Sequence, residues 1–385
     1  MAKNSEIASE MNRAAILELL RTQGPLSKAD MKRILNISFP AVTYNVKKLM
    51  EDNLIYECGE ADNAIGRKAT LLAFNSRKAY LVGVDLGRQN IRTMCSDIAG
   101  NILQYHTVKI STGDVFEQVI ERIYEIIKAT RITVEDVACV GIGIPGIYDM
   151  STDSHKLAPF VEGWGDESLM LRLKQEFPME IYIENSVNLG AVGERWQGIA
   201  KGYDEIAYVD FGVGFGSALI KGGELVRGNN GAFGEVGFMV LQKDRLLREY
   251  SDEGALEKLI PSSKIASVID QYFENDSRIS IKKVFEFIKE RNIEMELEDI
   301  PSYFAMALVN IAVMTNPEVL VISGRLGCAI YRDYREYIDR VMRGNVPFPP
   351  KILVTELAER ANVIGAIAVS MIHSSSKYTN FREFK

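Results

Sequence analysis

Two stretches of the chain repeat one pattern, and that repeat restricts the fold more than any other feature. Residues 80–108, YLVGVDLGRQNIRTMCSDIAGNILQYHTV, and residues 206–226, IAYVDFGVGFGSALIKGGELV, each run from an apolar strand through Asp-x-Gly, a second strand and a glycine-bearing turn to a third strand. The turns are Asp85 to Gly87 and Gly100-Asn101 in the first copy, Asp210 to Gly212 and Gly222-Gly223 in the second. A duplicated unit of this kind predicts two similar lobes facing each other across a cleft, the usual place for a small ligand. Between the copies lie a helical pattern over 115–129, a buried strand ending CVGIGIPGIYD, a helix reaching Phe177, the strand IYIEN and a helix over 187–196. After the second copy the chain reads as mainly helical to Thr315, then strand VLVISG, a helix, strand ILVTEL and a final helix from Asn362. Strand and helix in alternation define an α/β class.

Segment 210–238, DFGVGFGSALIKGGELVRGNNGAFGEVGF, holds nine of the 30 glycines. Glycine at such density is costly in chain entropy and marks tight turns, positive φ or close approach of backbone to a ligand. Gly212, Gly214 and Gly216 are spaced G-x-G-x-G and run into a strand, whereas a dinucleotide fingerprint needs G-x-G-x-x-G opening a helix. The Gly-Lys-Ser/Thr of a Walker loop occurs nowhere in the chain. What remains is a β-hairpin whose first turn either presents backbone N–H groups to an anion or serves only as a structural turn.

Residues 1–78 read as a separate domain. Ile16, Leu17, Leu19 and Leu20 follow a helical period that ends at Gly24-Pro25. Ser27 caps a second helix carrying Met31, Ile34 and Leu35, which Asn36 closes. Ser38 caps a third, with Pro40 in its first turn and Val42, Val46 and Leu49 on one buried face. Three short helices so joined make a helix-turn-helix, with the third as recognition helix. Its candidate DNA contacts are Ser38, Ala41, Thr43, Tyr44 and Lys47. The following LIYECGEADNAIGRKATLLAF predicts two strands around a polar loop, a wing with Arg67 and Lys68 near its tip. Residues 1–78 carry 12 Lys/Arg against 9 Asp/Glu, while the rest carry 33 against 43, so a basic head sits on an acidic body. Pattern alone leaves open a helical interaction module without DNA; the wing and its basic tip favour DNA.

No segment approaches the ~18 to 20 continuous apolar residues of a membrane span, and MAKNSEIASEMNR lacks the apolar core of a signal peptide. Cys58, Cys95, Cys139 and Cys328 are scattered without a C-x-x-C pair, which predicts reduced thiols and a cytoplasmic location. Three histidines, His106, His155 and His373, leave little scope for a metal site.

The order of these motifs is that of the actin and sugar-kinase superfamily, in which two Asp-x-Gly hairpins hold nucleotide phosphates from opposite sides. Over nearly its whole length the chain resembles the ROK family of repressors, open reading frames and sugar kinases, and within it the repressor branch of xylose-repressor and NagC type. The resemblance rests on the wing GRKATLLAFN, the hairpin VGVDLG, GIGIPGIYD, ENSVNLGAVGE, RGNNGAFGEVGF and NPEVLVISGRLG. It implies a winged helix-turn-helix over 1–78 and an actin-like, ribonuclease H-like body over 79–385. Lobe one is expected to comprise about 79–184 plus 363–385, and lobe two about 185–362.

The departures from the family pattern bear on chemistry. ROK kinases carry Glu-Asn-Asp, whose Asp is the general base toward the sugar hydroxyl; here the triplet is Glu184, Asn185, Ser186. The family's Asp-x-Gly-Gly-Thr is Asp85, Leu86, Gly87, Arg88, Gln89, and its Gly-Thr-Gly is Gly212, Val213, Gly214. The histidine of Gly-Glu-Ile-Gly-His is Phe238 and no cysteine cluster follows, so the family's structural zinc is not expected, nor is any cofactor. Aligned on Tyr250, the family's sugar-contacting glutamate falls at Arg248. The resemblance leaves Gly146, Asn185 and Glu235 as sugar-pocket candidates, although Asn185 could serve only to brace a strand end and Glu235 as a cap or hinge.

The expectation is a non-enzymatic transcriptional repressor of carbohydrate-utilisation genes, binding a pseudo-palindromic double-stranded operator as a homodimer or homotetramer. Its effector is a sugar, or, given the basic Arg248 and the missing acid at Ser186, an anionic sugar derivative. The alternatives are an ATP-dependent sugar kinase and a repressor controlled by a protein partner.

Overall fold

The structure, a computed structural model, describes residues 2–60, 69–149, 151–152, 154–156, 169–243, 246, 253–273 and 279–378. The head opens with α1 (Ala2–Gln23), β1 (Leu26–Ser27), α2 (Lys28–Leu35), α3 (Phe39–Glu51), β2 (Ile55–Glu60) and β3 (Thr70–Phe74). The strands form one sheet in the order β1-β3-β2, so the wing is present, with its tip residues Arg67 and Lys68 outside the described residues. Local chemistry sets the helix ends. Ser27 and Asp30 form a reciprocal capping box, and Asn36 ends α2 in the left-handed region at φ 54°. The first helix is longer than the 12–21 period predicts. Ser9, upstream of that apolar period, donates to Asn45 on α3 at 2.9 Å, a tie the hydrophobic pattern does not register.

The body continues with β4 (Tyr80–Leu86), β5 (Asn90–Asp97), β6 (Ile102–Lys109), α4 (Val115–Thr130), β7 (Val137–Ile144), β8 (Ile147–Asp149), β9 (Ser154–Lys156), α5 (Leu169–Glu176), β10 (Glu180–Asn185) and α6 (Ser186–Gln197). It is completed by β11 (Ile206–Phe211), β12 (Phe215–Lys221), β13 (Glu224–Val226), α7 (Ser262–Tyr272), α8 (Ile281–Glu290), α9 (Ile300–Thr315), β14 (Val319–Ser323), α10 (Arg325–Asn345), β15 (Lys351–Val354) and α11 (Arg360–Tyr378). The two five-stranded sheets run β10-β7-β4-β5-β6 and β15-β14-β11-β12-β13. In both, an antiparallel hairpin pair leads into two parallel strands, so the repeat seen in the hairpins extends to the whole sheet.

Each sheet is covered on both faces. The first packs its outer face on α4 and α5 through Ile123, Ile126 and Leu173, and its inner face on α11 through Val363 and Ile367. The second packs outward on α7 to α10 around Phe211, Ile269 and Phe304, and inward on α6. Helices α6 and α11 therefore cross at the waist between the sheets. Their approach depends on two glycines: a Cβ on Gly193 would lie 2.1 Å from the Ala361 carbonyl oxygen, and one on Gly365 would lie 1.9 Å from that of Leu189. Any side chain there would push the two helices apart.

Candidate functional site

At the waist the two Asp-x-Gly aspartates face each other, and the first is fully partnered. Asp85, 1% exposed, takes Arg92 Nη1 at 3.1 Å, Ser186 Oγ at 2.9 Å and Asn362 Nδ2 at 3.3 Å. Burial still raises its carboxyl above the ordinary range, against the pull of Arg92. Burial also pushes Asp210 up to about 6, with the negative field of Asp85 adding to the effect while Ser323 opposes it. Arg92 carries on to Glu359 through a charge-assisted hydrogen bond. A Cβ on Gly87 would come within 2.7 Å of Arg92 Nη1, so the guanidinium fills the space directly behind the Asp-x-Gly turn. Ser186, at the position where the family's base would stand, thus spends its hydroxyl on Asp85.

The residues that replace the family's Gly-Thr reach across to the other lobe. Gln89 Nε2 donates to Asp270 on α7 at 3.0 Å, and Asp270 is held in turn by Arg325, the first residue of α10, at 2.7 Å. Arg88 lies within the field of Glu257, and burial lowers its pKa despite that attraction. In the second hairpin none of Gly212, Gly214 and Gly216 has positive φ, and the Gly212 N–H is taken by the Gly214 carbonyl at 3.1 Å. Of the two readings of that turn, the structural one fits better, because the Gly212 N–H is spent within the turn and no left-handed glycine opens an αR-αL nest there. Ser262 caps the turn from α7 by donating to the Val213 carbonyl.

The sugar-pocket candidates separate into braces and an available acid. Asn185 caps α6: its side-chain oxygen accepts from Val187 N at 2.7 Å and Asn188 N at 3.2 Å, and its amide donates to Gly146 O at 2.6 Å. It thereby joins α6 to the Pro-Gly turn, where Gly146 has φ 80°, and retains one amide hydrogen for a ligand. Glu235 is different. It precedes a single 3₁₀ turn over 236–238 yet makes no capping bond, and among the described residues its carboxyl has no hydrogen-bond partner. Burial, reinforced by Glu257, pushes it up to about 7. Arg248 lies outside the described residues.

Two residues not among those candidates complete the site. Glu257, in the tetrad Gly254-Ala255-Leu256-Glu257, accepts from Phe215 N at 3.2 Å and Gly254 N at 3.1 Å, and its negative field reaches Glu235. A glutamate closing a glycine-bearing turn was the available sequence signal, and alignment on Tyr250 bypassed it. Arg227 anchors the start of the loop leading to Glu235, donating to Glu184 and to the Tyr182 hydroxyl, each at 2.7 Å. The loop's far end is fixed by Gly234 at φ 94°, whose carbonyl accepts from Ser217 N at 2.8 Å. Between this loop and β8 opens a cavity of about 470 Å³ lined by Ile147, Asp149, Gly228, Asn230 and Phe233. Among the described residues no group of three His, Cys, Asp or Glu is arranged to hold a metal.

The raised Glu235 has a measurable consequence. Its folded pKa of about 7 exceeds the ordinary 4.5, so between those values the native state holds more protons than the unfolded one. Stability must fall as pH rises through that window and level off above it. The Glu235→Gln chain is expected to lose on the order of 2–3 kcal/mol of that dependence, keeping the part below about 6 that Asp210 contributes. Urea melts at pH 5 and pH 8 measure it, and equal slopes in both chains would contradict the buried acid.

In the head, Ser38, Thr43, Tyr44 and Lys47 lie exposed on or beside α3, with Ala41 half-buried. Ser38 accepts from Ala41 N at 3.3 Å and so acts first as the cap. Phe39, at the first helical position, is 49% exposed and was not among the candidates.

A profile described as the ROK family matches residues 81–371. The putative xylose repressor of Caldicellulosiruptor sp. strain Rt8B.4 is 25% identical, aligning 95% of this chain with 96% of its own. The glucokinase of Thermotoga maritima is 24% identical, over 76% of this chain and 97% of its own. Among solved structures, a ROK family transcriptional regulator described as a homologue of the E. coli MLC protein superposes with a TM-score of 0.70 at 18% identity, covering 95% of this chain and 97% of that one. With the family's profile spanning both lobes of the duplicated fold and the cleft between them, this chain belongs to the ROK family.

Proposed function

We propose that the chain is a sugar-responsive transcriptional repressor whose kinase-like body binds an effector without phosphorylating it. The observation that carries this reading is the joining of a winged helix-turn-helix to a cleft whose base position, Ser186, is hydrogen-bonded to Asp85. A hydroxyl so engaged offers no base of suitable pKa to a sugar hydroxyl. Coverage points the same way, because the xylose repressor aligns with the head as well as the body, whereas the glucokinase aligns over about three-quarters of the chain. Incubation with ATP, magnesium and common pentoses and hexoses should release ADP no faster than a protein-free control. Turnover at kinase rates would overturn the reading.

The pocket chemistry favours a neutral sugar. Sugar hydroxyls pair well with carboxyl groups, and Glu235 lies within the negative field of Glu257, a field that a phosphorylated or acidic sugar would meet as repulsion. The named relatives make xylose the first compound to try. In calorimetry with matched neutral and phosphorylated sugars the neutral one should bind at least tenfold tighter; the reverse order would restore the anionic effector suggested by Arg248. Two heads on a pseudo-palindromic operator require a dimer or a tetramer, whose spacing the cleft would control.

A further inference from the structure

We propose that the recognition helix reads thymine C5-methyl groups in the major groove, with Phe39 and Tyr44 as specificity-determining residues. The inference rests on the DNA-binding reading and adds what kind of base edge is read. In a helix-turn-helix the N-terminal part of the recognition helix meets base edges, so the exposed side chains there decide the code. Phe39 and Tyr44 are 49% and 56% exposed, Pro40 lies exposed between them on the first turn, and Phe39 belongs to no part of the head's core.

The polar groups that could compete are withdrawn. Asn45, the only amide side chain on α3, is 1% exposed; it donates to Ala41 O at 2.9 Å and accepts from Ser9 at 2.9 Å. It cannot make the bidentate adenine contact typical of Asn or Gln. Thr43, an exposed residue, turns its hydroxyl back onto the Phe39 carbonyl at 2.9 Å, so its methyl is the group left for a base edge. The helix carries no arginine, and its two lysines lie within 4 Å of Glu51 one turn from its end, with Nζ–Oε separations of 3.8 Å and 3.3 Å. On the N-terminal turns of α3 the exposed surface is therefore mainly two aromatic rings, a proline and a methyl, with the Tyr44 hydroxyl as a polar tip, while the exposed lysines Lys47 and Lys48 lie in its second half. Apolar surface of this kind distinguishes bases through one group only, the thymine methyl.

The test begins with selection of bound duplexes from a random library by the full-length chain, followed by replacement of each selected thymine with uracil, which removes the methyl and nothing else. Wild-type chain should lose about fourfold in affinity for each methyl it covers, the equivalent of one buried methylene, at one or more positions per half-site. Phe39→Ala should bind more weakly and lose the preference at one of those positions while melting at the wild-type temperature, since its ring is half-exposed. Tyr44→Phe should keep the preference that Tyr44→Ala loses. Equal affinity of wild-type chain for thymine and uracil duplexes at every position overturns the proposal and leaves the DNA-binding reading intact. Failure of the selection to enrich any sequence overturns both.

Discussion

A Gly234→Ala chain is expected to bind operator DNA with wild-type affinity yet show no change in that affinity when sugar is added. Gly234 sits at φ 94°, and a Cβ there would lie 1.8 Å from the Ser217 carbonyl oxygen. Neither the left-handed backbone nor the contact can be kept, so the residue must leave its place and take Glu235 with it. The cost combines backbone strain of about 1–3 kcal/mol with the loss of the hydrogen bond from Ser217 N, and it falls on the segment that carries Glu235 and follows the residues lining the cavity. Effector affinity should drop at least a hundredfold, about 2.7 kcal/mol by the usual conversion. The head is built on its own core of Ile16, Met31, Val46 and Leu72 and should continue to bind DNA. Electrophoretic mobility shifts with and without sugar measure both quantities. A variant that still responds to sugar would show that Glu235 is not the ligand contact.

The second large effect concerns stability. Arg92→Ala should lower the free energy of unfolding by about 3–5 kcal/mol, the range for removing one partner of a buried ion pair. Arg92 is 8% exposed and lies between Asp85 and Glu359, so its removal leaves the Asp85 carboxylate in the waist with only Ser186 and Asn362 as donors. Ser186→Ala deletes one of those donors and should cost about 1 kcal/mol. Urea denaturation at neutral pH separates the two. If Arg92→Ala costs no more than Ser186→Ala, then Asp85 is already protonated and the waist is not held by charge. The guanidinium also packs directly behind the Asp-x-Gly turn at Gly87, and Gln89 bonds across to Asp270.

Residues close in sequence were read well. The cap at Ser27, the cap at Ser38, the end of α2 at Asn36 and the buried face of Val42, Val46 and Leu49 all follow from periodicity and capping, which are local effects. The repeat was legible for the same reason: strand, turn and glycine recur in each copy, and both sheets take the same order. The site was read less completely. Asn185 is a sugar-pocket candidate by sequence, but its double role as cap and brace is visible only from its partners. Glu257 carries a local signal, a glutamate closing a glycine-bearing turn, but its effect on Glu235 arises only when the fold brings the two segments together. Phe39 was missed because an aromatic beside a helix start reads as core, and only the packing of the head leaves it in water.

The sequence by itself determined the α/β class and the duplicated sheet pattern, and it set the expectation of a separate head and of a serine at the base position, because hydrophobic period, turn chemistry and residue identity are properties of short stretches. The tertiary structure alone decided what the altered residues do. Arg92 finds Glu359 across 267 positions and Gln89 finds Asp270 across 181, pairings that depend on how two lobes close around α6 and α11. Electrostatic partners and shifted carboxyls are set by distance and burial, and both are settled only when segments remote in the chain are packed together.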